Sequence, residues 1–214
     1  TADHAREASV GAFNRIDQRM RAINQTLLTR NGWWPSPWWL RHANHIWLSN
    51  SGDGEFSDWP SRTQQDRELT ERDASYYHLV RMAESPVPLN SFDNHGVSDA
   101  LTNPFAYSPS TWADNLVMQF TRGTLYMHFL LCPEDLRNWQ AQTLQQSLQW
   151  FRMNASTISS RHSKMVGGHP GLGEIYGYLH PGEDGTAWLV LRNPSPQPQR
   201  IAPPLAGWLG WVPA

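Results

Sequence analysis

The residues best suited to chemistry fall in one stretch, positions 33–56, which reads WWPSPWWLRHANHIWLSNSGDGEF and holds two loop acids, Asp53 and Glu55. Trp33, Trp34, Trp38 and Trp39, four of the chain's 12 tryptophans, lie within its first seven positions. Indole rings beside a carboxyl group suit the handling of a sugar. The apolar face of a pyranose stacks on the ring, and the glycosidic oxygen needs an acid. Glycoside hydrolysis takes two carboxyl groups, one protonated to help the leaving oxygen depart and one ionised as nucleophile or base. Asp53 is the first candidate for acid/base, with Asp93 and Glu55 behind it. Trp33, Trp34 and Trp38 are candidate sugar platforms, and Trp47 a candidate pocket wall. Arg72 is the candidate that holds a catalytic carboxylate ionised at the mouth of the site; its neighbour Asp73 reads as a helix charge.

Other chemistries find less support. His42 and His45 sit close together, yet no third ligand follows at a recognisable spacing, so no metal or other cofactor is expected. Serines are plentiful, but no G-x-S-x-G elbow accompanies them. Cys132 is the single cysteine, which rules out an internal disulfide framework and any CxxC site.

Alternating helical and strand periodicities position these residues. A helix is expected over 3–24, where Ala5, Ala8, Ala12, Ile16, Met20 and Ile23 form an apolar stripe over something it covers. Short strands follow at 23–29 and at 45–49 (HIWLS), then a Gly-rich loop at 50–55. A helix over 63–83 brings Leu69, Tyr76, Val80 and Ala83 to one face and leaves Gln64, Gln65, Arg67, Glu68 and Glu71 wet. The third strand is expected at 87–92 (VPLNSF), running into a polar loop at 93–96 that carries Asp93 and His95. A helix at 111–121 leads to strand 124–131 (TLYMHFLL), apolar enough to be buried on both faces. The last long helix, over 134–155, aligns Ala141, Leu144, Leu148, Phe151 and Ala155. Strand and helix in alternation give an α/β fold with a parallel sheet. From about residue 165 the pattern changes to an antiparallel hairpin, 175–180 with 186–192 around Pro181–Gly185, a Pro-rich stretch at 194–204, and one more strand at 208–212. In a parallel barrel, catalytic groups sit on loops after the strands' carboxyl ends. The loops at 50–55, 93–96 and 132–134 hold that position here.

Length and charge narrow the partner. The chain has 214 residues, enough for a sizeable core, and 17 Lys+Arg against 19 Asp+Glu, for a net charge of −2. That balance gives no electrostatic case for nucleic acid or an anionic membrane. No apolar run is long enough to cross a bilayer. The first residue is Thr1, with no leader pattern after it, and the start reads as a cut inside a longer protein.

The motifs SPWWL (36–40), the IW strand end with its acidic glycine loop (46–54), PSRTQQDRELTERD (60–73), PLNSFDNHG (88–96), RGTLYMHFLLCPEDL (122–136), MVGGHPGLGEIYGY (165–178) and LRNPS (191–195) together resemble glycoside hydrolase family 36 and its relatives in the α-galactosidase clan. The resemblance implies that residues 1–160 form the C-terminal half of a (β/α)8 TIM barrel, and that 161–214 begin a C-terminal β-sandwich, an antiparallel β module. It implies a retaining α-glycosidase acting on a terminal α-linked sugar of an oligosaccharide or glycoside. Asp53 would be acid/base, and the nucleophile would come from the missing N-terminal half of the same protein. Arg72 and His95 match an arginine and a histidine around the family's sugar pocket. The loop carrying Asp53 departs by one residue from the family's pattern, so a catalytically degenerate carbohydrate-binding protein is the alternative. A half-barrel alone would expose sheet edges, so the chain alone is expected to be unstable and inactive. A periplasmic or secreted location is favoured slightly over a cytoplasmic one.

Overall fold

Four short strands run in parallel, in the order in which they occur along the chain, and among the described residues helices fill the later two connections. The computed structural model describes residues 2–23, 31–32, 45–46, 63–82, 87–98 and 109–210. Strand β1 (Asn31–Gly32) pairs with β2 (His45–Ile46), Ile46 bridges to Phe92, and β3 (Asp93–Ser98) pairs with β4 (Tyr126–Leu130), each in parallel. Helix α2 (Gln64–Tyr76) lies between β2 and β3, α3 (Pro109–Phe120) between β3 and β4, and α4 (Asn138–Ile158) follows β4. The fold is therefore of the α/β class.

Local chemistry explains the helix ends. The Thr63 hydroxyl accepts the Asp66 amide at 3.1 Å, capping α2. The Gln140 side chain accepts the Arg137 amide at 3.0 Å and starts α4 after a 3₁₀ turn at Pro133–Asp135. Leu144, Leu148 and Phe151 pack from α4 onto Trp112, Leu116 and Phe120 of α3, as their spacing predicts. The Trp112 indole donates to the Gln140 carbonyl across that interface. Helix α1 (Ala2–Ile23) has the expected extent, but Ile16 and Ile23 of its stripe stay exposed.

An antiparallel sheet follows: β5 (Lys164–Gly167), β6 (Tyr176–Pro181) and β7 (Ala187–Arg192), with the hairpin at the predicted place. It shares a core with the parallel strands. Met165, Tyr176 and Tyr178 are buried in one cluster with Ile46, Phe92, Leu69 and Tyr76.

Three expectations need correction. Residues 87–92 are not a strand. Pro88 lacks an amide to give to a ladder, its carbonyl accepts the Ser91 amide at 2.9 Å, and Leu89–Ser91 closes as a 3₁₀ turn. The strand instead begins at Asp93 and takes in the residues expected as a polar loop. Strand β4 is not buried on both faces, since Phe129 is 42% exposed. Within 208–212, Trp208 and Leu209 belong to a helix, α5 (Leu205–Leu209), set between Pro204 and a left-handed Gly210. The expected strand at 23–29 overlaps α1 at Ile23 and otherwise lies outside the described residues.

A Cβ at Gly177 would overlap the Val190 carbonyl of the adjacent strand, whereas one at Gly207 meets nothing. Gly177→Ala is expected to lower the unfolding free energy by about 3 kcal/mol in urea titration. Gly207→Ala, in a helix with open space, is expected to leave it unchanged or raise it by up to about 1 kcal/mol.

Candidate functional site

Side chains alternate across a strand, and the sheet uses that alternation to separate a core face from a polar one. Ile46 and Phe92 point into the core toward α2 and α3. His45 and Asp93 therefore point to the opposite face, where Tyr126 and His128 of β4 join them. The His45 ring stacks flat on Tyr126, with centroids 4.6 Å apart and planes 1° from parallel. His128 stands edge-on to Tyr126 at 4.7 Å, and its Nε2 lies 3.6 Å from the Asp93 carboxylate. The Tyr76 hydroxyl donates to the Asp93 backbone carbonyl from the core side and fixes the strand there.

Burial sets the charge state of one of these rings. Burial pushes the His45 pKa below its ordinary value, the Asp93 charge works against that, and His128 adds to it. His45 is thus a neutral ring in the neutral pH range, and its Nδ1 is buried without a hydrogen-bond partner. Asp93 is 1% exposed while His128 reaches solvent with 38% of its side chain. Among the described residues no three His, Cys, Asp or Glu side chains converge in a metal-holding arrangement.

Of the residues singled out in the sequence, the fold brings Asp93 to this face. It stands at the start of strand β3 and not on a loop beyond a strand end, because the 3₁₀ turn before it delays the strand. His95 lies within β3, and its side chain is outside the described residues. Asp53, Glu55, Trp33, Trp34, Trp38 and Trp47 also lie outside them. Arg72 is buried on α2.

Asp73 is not a surface helix charge. It is fully buried, and its carboxylate accepts hydrogen bonds from Arg122 Nε at 2.7 Å, the Tyr178 hydroxyl at 2.6 Å and the Tyr176 hydroxyl. Burial opposes the Arg122 charge; Asp73, with the Tyr178 and Tyr76 phenols, overcomes it and raises the arginine's pKa. Arg122 also donates to Asn94 of β3 at 2.7 Å and to Gln119. Sequence reasoning missed this cluster and also His128. A signal existed for each: a lone histidine in the apolar run TLYMHFLL, and tyrosines two apart in Tyr176-Gly177-Tyr178, whose hydroxyls need partners once buried.

The chain matches no protein-family model, no curated protein and no solved structure at a significant level. No helix among the described residues is long and apolar enough to cross a membrane.

A third imidazole is buried away from the polar face. His180 contacts the Ser163 hydroxyl and the Thr121 carbonyl, each at 2.9 Å, and burial lowers its pKa to about 4. The unfolded chain binds a proton near pH 6.5 that the folded chain refuses until about pH 4. Stability is therefore full above about pH 6.5 and declines as pH falls toward 4, by about 3 kcal/mol in all. In His180→Gln, which has no such proton, the slope of unfolding free energy over that window is expected to drop by up to about 1.4 kcal/mol per pH unit.

Proposed function

We propose that this chain is part of a retaining α-glycosidase, α-galactosidase-like, that hydrolyses a terminal α-linked sugar. In this reading residues 1–160 are the C-terminal half of a (β/α)8 barrel and 161–214 the start of a β-sandwich. What supports it most is the parallel array: strands in chain order, helices packed on one face, and acid, imidazoles and tyrosine gathered on the other. In a barrel, helices cover the outer face of the parallel strands and the other face lines the interior. The ordered motifs of the sequence point the same way.

Asp53 is the acid/base, with the nucleophile supplied by another segment of the full protein. Arg72 and His95 are polar contacts, and Trp33, Trp34, Trp38 and Trp47 supply ring faces for the sugar. Asp93 accepts hydrogen bonds from substrate hydroxyls, with His128 beside it. The substrate is a neutral oligosaccharide or glycoside met outside the cytoplasm.

Full-length protein is expected to release nitrophenol from a nitrophenyl α-galactoside. Asp53→Asn should cut kcat at least about 100-fold, the range lost with a general acid. Asp93→Asn should instead raise KM by about tenfold, the cost of one weakened hydrogen bond to a charged group. Saccharide binding without turnover in wild type would replace this reading with that of a non-hydrolysing carbohydrate-binding protein.

A further inference from the structure

Helix α2 does not stop at Tyr76 but runs on as a π-helical turn, Tyr77–Met82, and two imidazoles join that turn to the loop after β5. His169 in this loop accepts the Gly171 amide on its Nδ1 at 3.0 Å. A neutral imidazole carries one N–H, so the His169 proton sits on Nε2. That nitrogen lies 3.1 Å from His78 Nε2, which must therefore accept, leaving the His78 proton on Nδ1. Both tautomers follow from one backbone amide.

The surroundings hold the pair in place. The Tyr77 ring lies 4.7 Å from His169 and stands edge-on to His78. The Glu174 carboxylate accepts the His169 amide at 2.6 Å. Arg81 donates to the Gly167 carbonyl, and its guanidinium lies 5.3 Å over the Tyr77 ring. Among the described residues, Glu174, Arg81 and Tyr77 are the charged and titratable groups that these contacts bring to the two rings.

A further proton has no place in this geometry. On His78 Nε2 it would set two N–H groups facing each other across 3.1 Å. On His169 Nδ1 it would turn an acceptor toward the Gly171 amide into a second donor. We propose that the His78–His169 contact is a pH-sensitive latch, which holds the loop at 168–174 against the π-helical turn while both rings are neutral and loosens on uptake of a proton, because either the His78 contact or the Gly171 contact must then be given up.

Burial and the neighbouring His78 lower the His169 pKa, with Glu174 opposing them. The latch's contribution is therefore complete above the ordinary imidazole value and is lost as pH falls below it. Release is local, unlike the global destabilisation expected from His180.

Hydrogen exchange, corrected for the intrinsic pH dependence, tests this at about pH 7.5 and about pH 5, either side of the imidazole range. In wild type, amides of 168–174 are expected to exchange about tenfold faster at the lower pH relative to the β6–β7 hairpin. His169→Asn keeps a side-chain acceptor for the Gly171 amide but cannot titrate, and should show no such acceleration. His78→Phe lacks the acceptor and should exchange fast at both pH values. Equal acceleration in wild type and His169→Asn, absence of acceleration in wild type, or slow exchange in His78→Phe at both pH values would each overturn the latch.

Discussion

A fully buried carboxylate must be matched group by group, and the burial of Asp73 sets that requirement for the whole molecule. Three side chains from two segments far away in sequence meet it: Arg122 after α3, and Tyr176 and Tyr178 on β6. Arg122 carries the connection on to Asn94 of β3, and its guanidinium also lies 5.6 Å from the centre of the Tyr76 ring. The Tyr176 hydroxyl leads to a second buried arginine. Arg192 donates to that hydroxyl, to Thr70 and to the Asp66 carbonyl, all at 2.7 to 2.9 Å. Parallel strands, helix α2 and the antiparallel sheet therefore share one polar network inside one apolar core. Such networks add little stability over an apolar core of the same shape, but losing one member leaves the others uncompensated.

The same helix links this network to both functional readings. Tyr76 on its core face holds the Asp93 carbonyl, and Asp93 presents its carboxylate to the polar face beside His128. One turn further, the π-helical extension carries His78 to the loop after β5. Rigid support on one side and a titratable contact at the end fit a site whose acid is fixed by secondary structure.

Periodicity was enough to find the four long helices and the hairpin, because each is a pattern within a few residues. Leu144, Leu148 and Phe151 declare the face of α4, and Pro181–Gly185 the turn. What periodicity cannot see is a partner at long range. Asp73 sits on a helix among Arg67, Glu68, Glu71 and Arg72, so its charge reads as solvated; its partners are 49, 103 and 105 residues away. The start of β3 was misplaced for a local reason, since Val87, Leu89 and Phe92 fit a strand and only the proline carbonyl closing a 3₁₀ turn says otherwise. Asp93 was visible as a candidate by residue type, while His128 was hidden by the apolar run around it. The tryptophan cluster and Asp53, legible as chemistry, fall outside the described residues.

Native-state hydrogen exchange of Asp73→Asn against wild type tests most directly that one buried carboxylate unites the parallel strands with the antiparallel sheet. The account predicts that the slowest amides of β4 and of β6 lose equal protection, by about 3 to 5 kcal/mol, the cost of stranding a buried arginine. A loss confined to β6, with β4 unchanged, would contradict it.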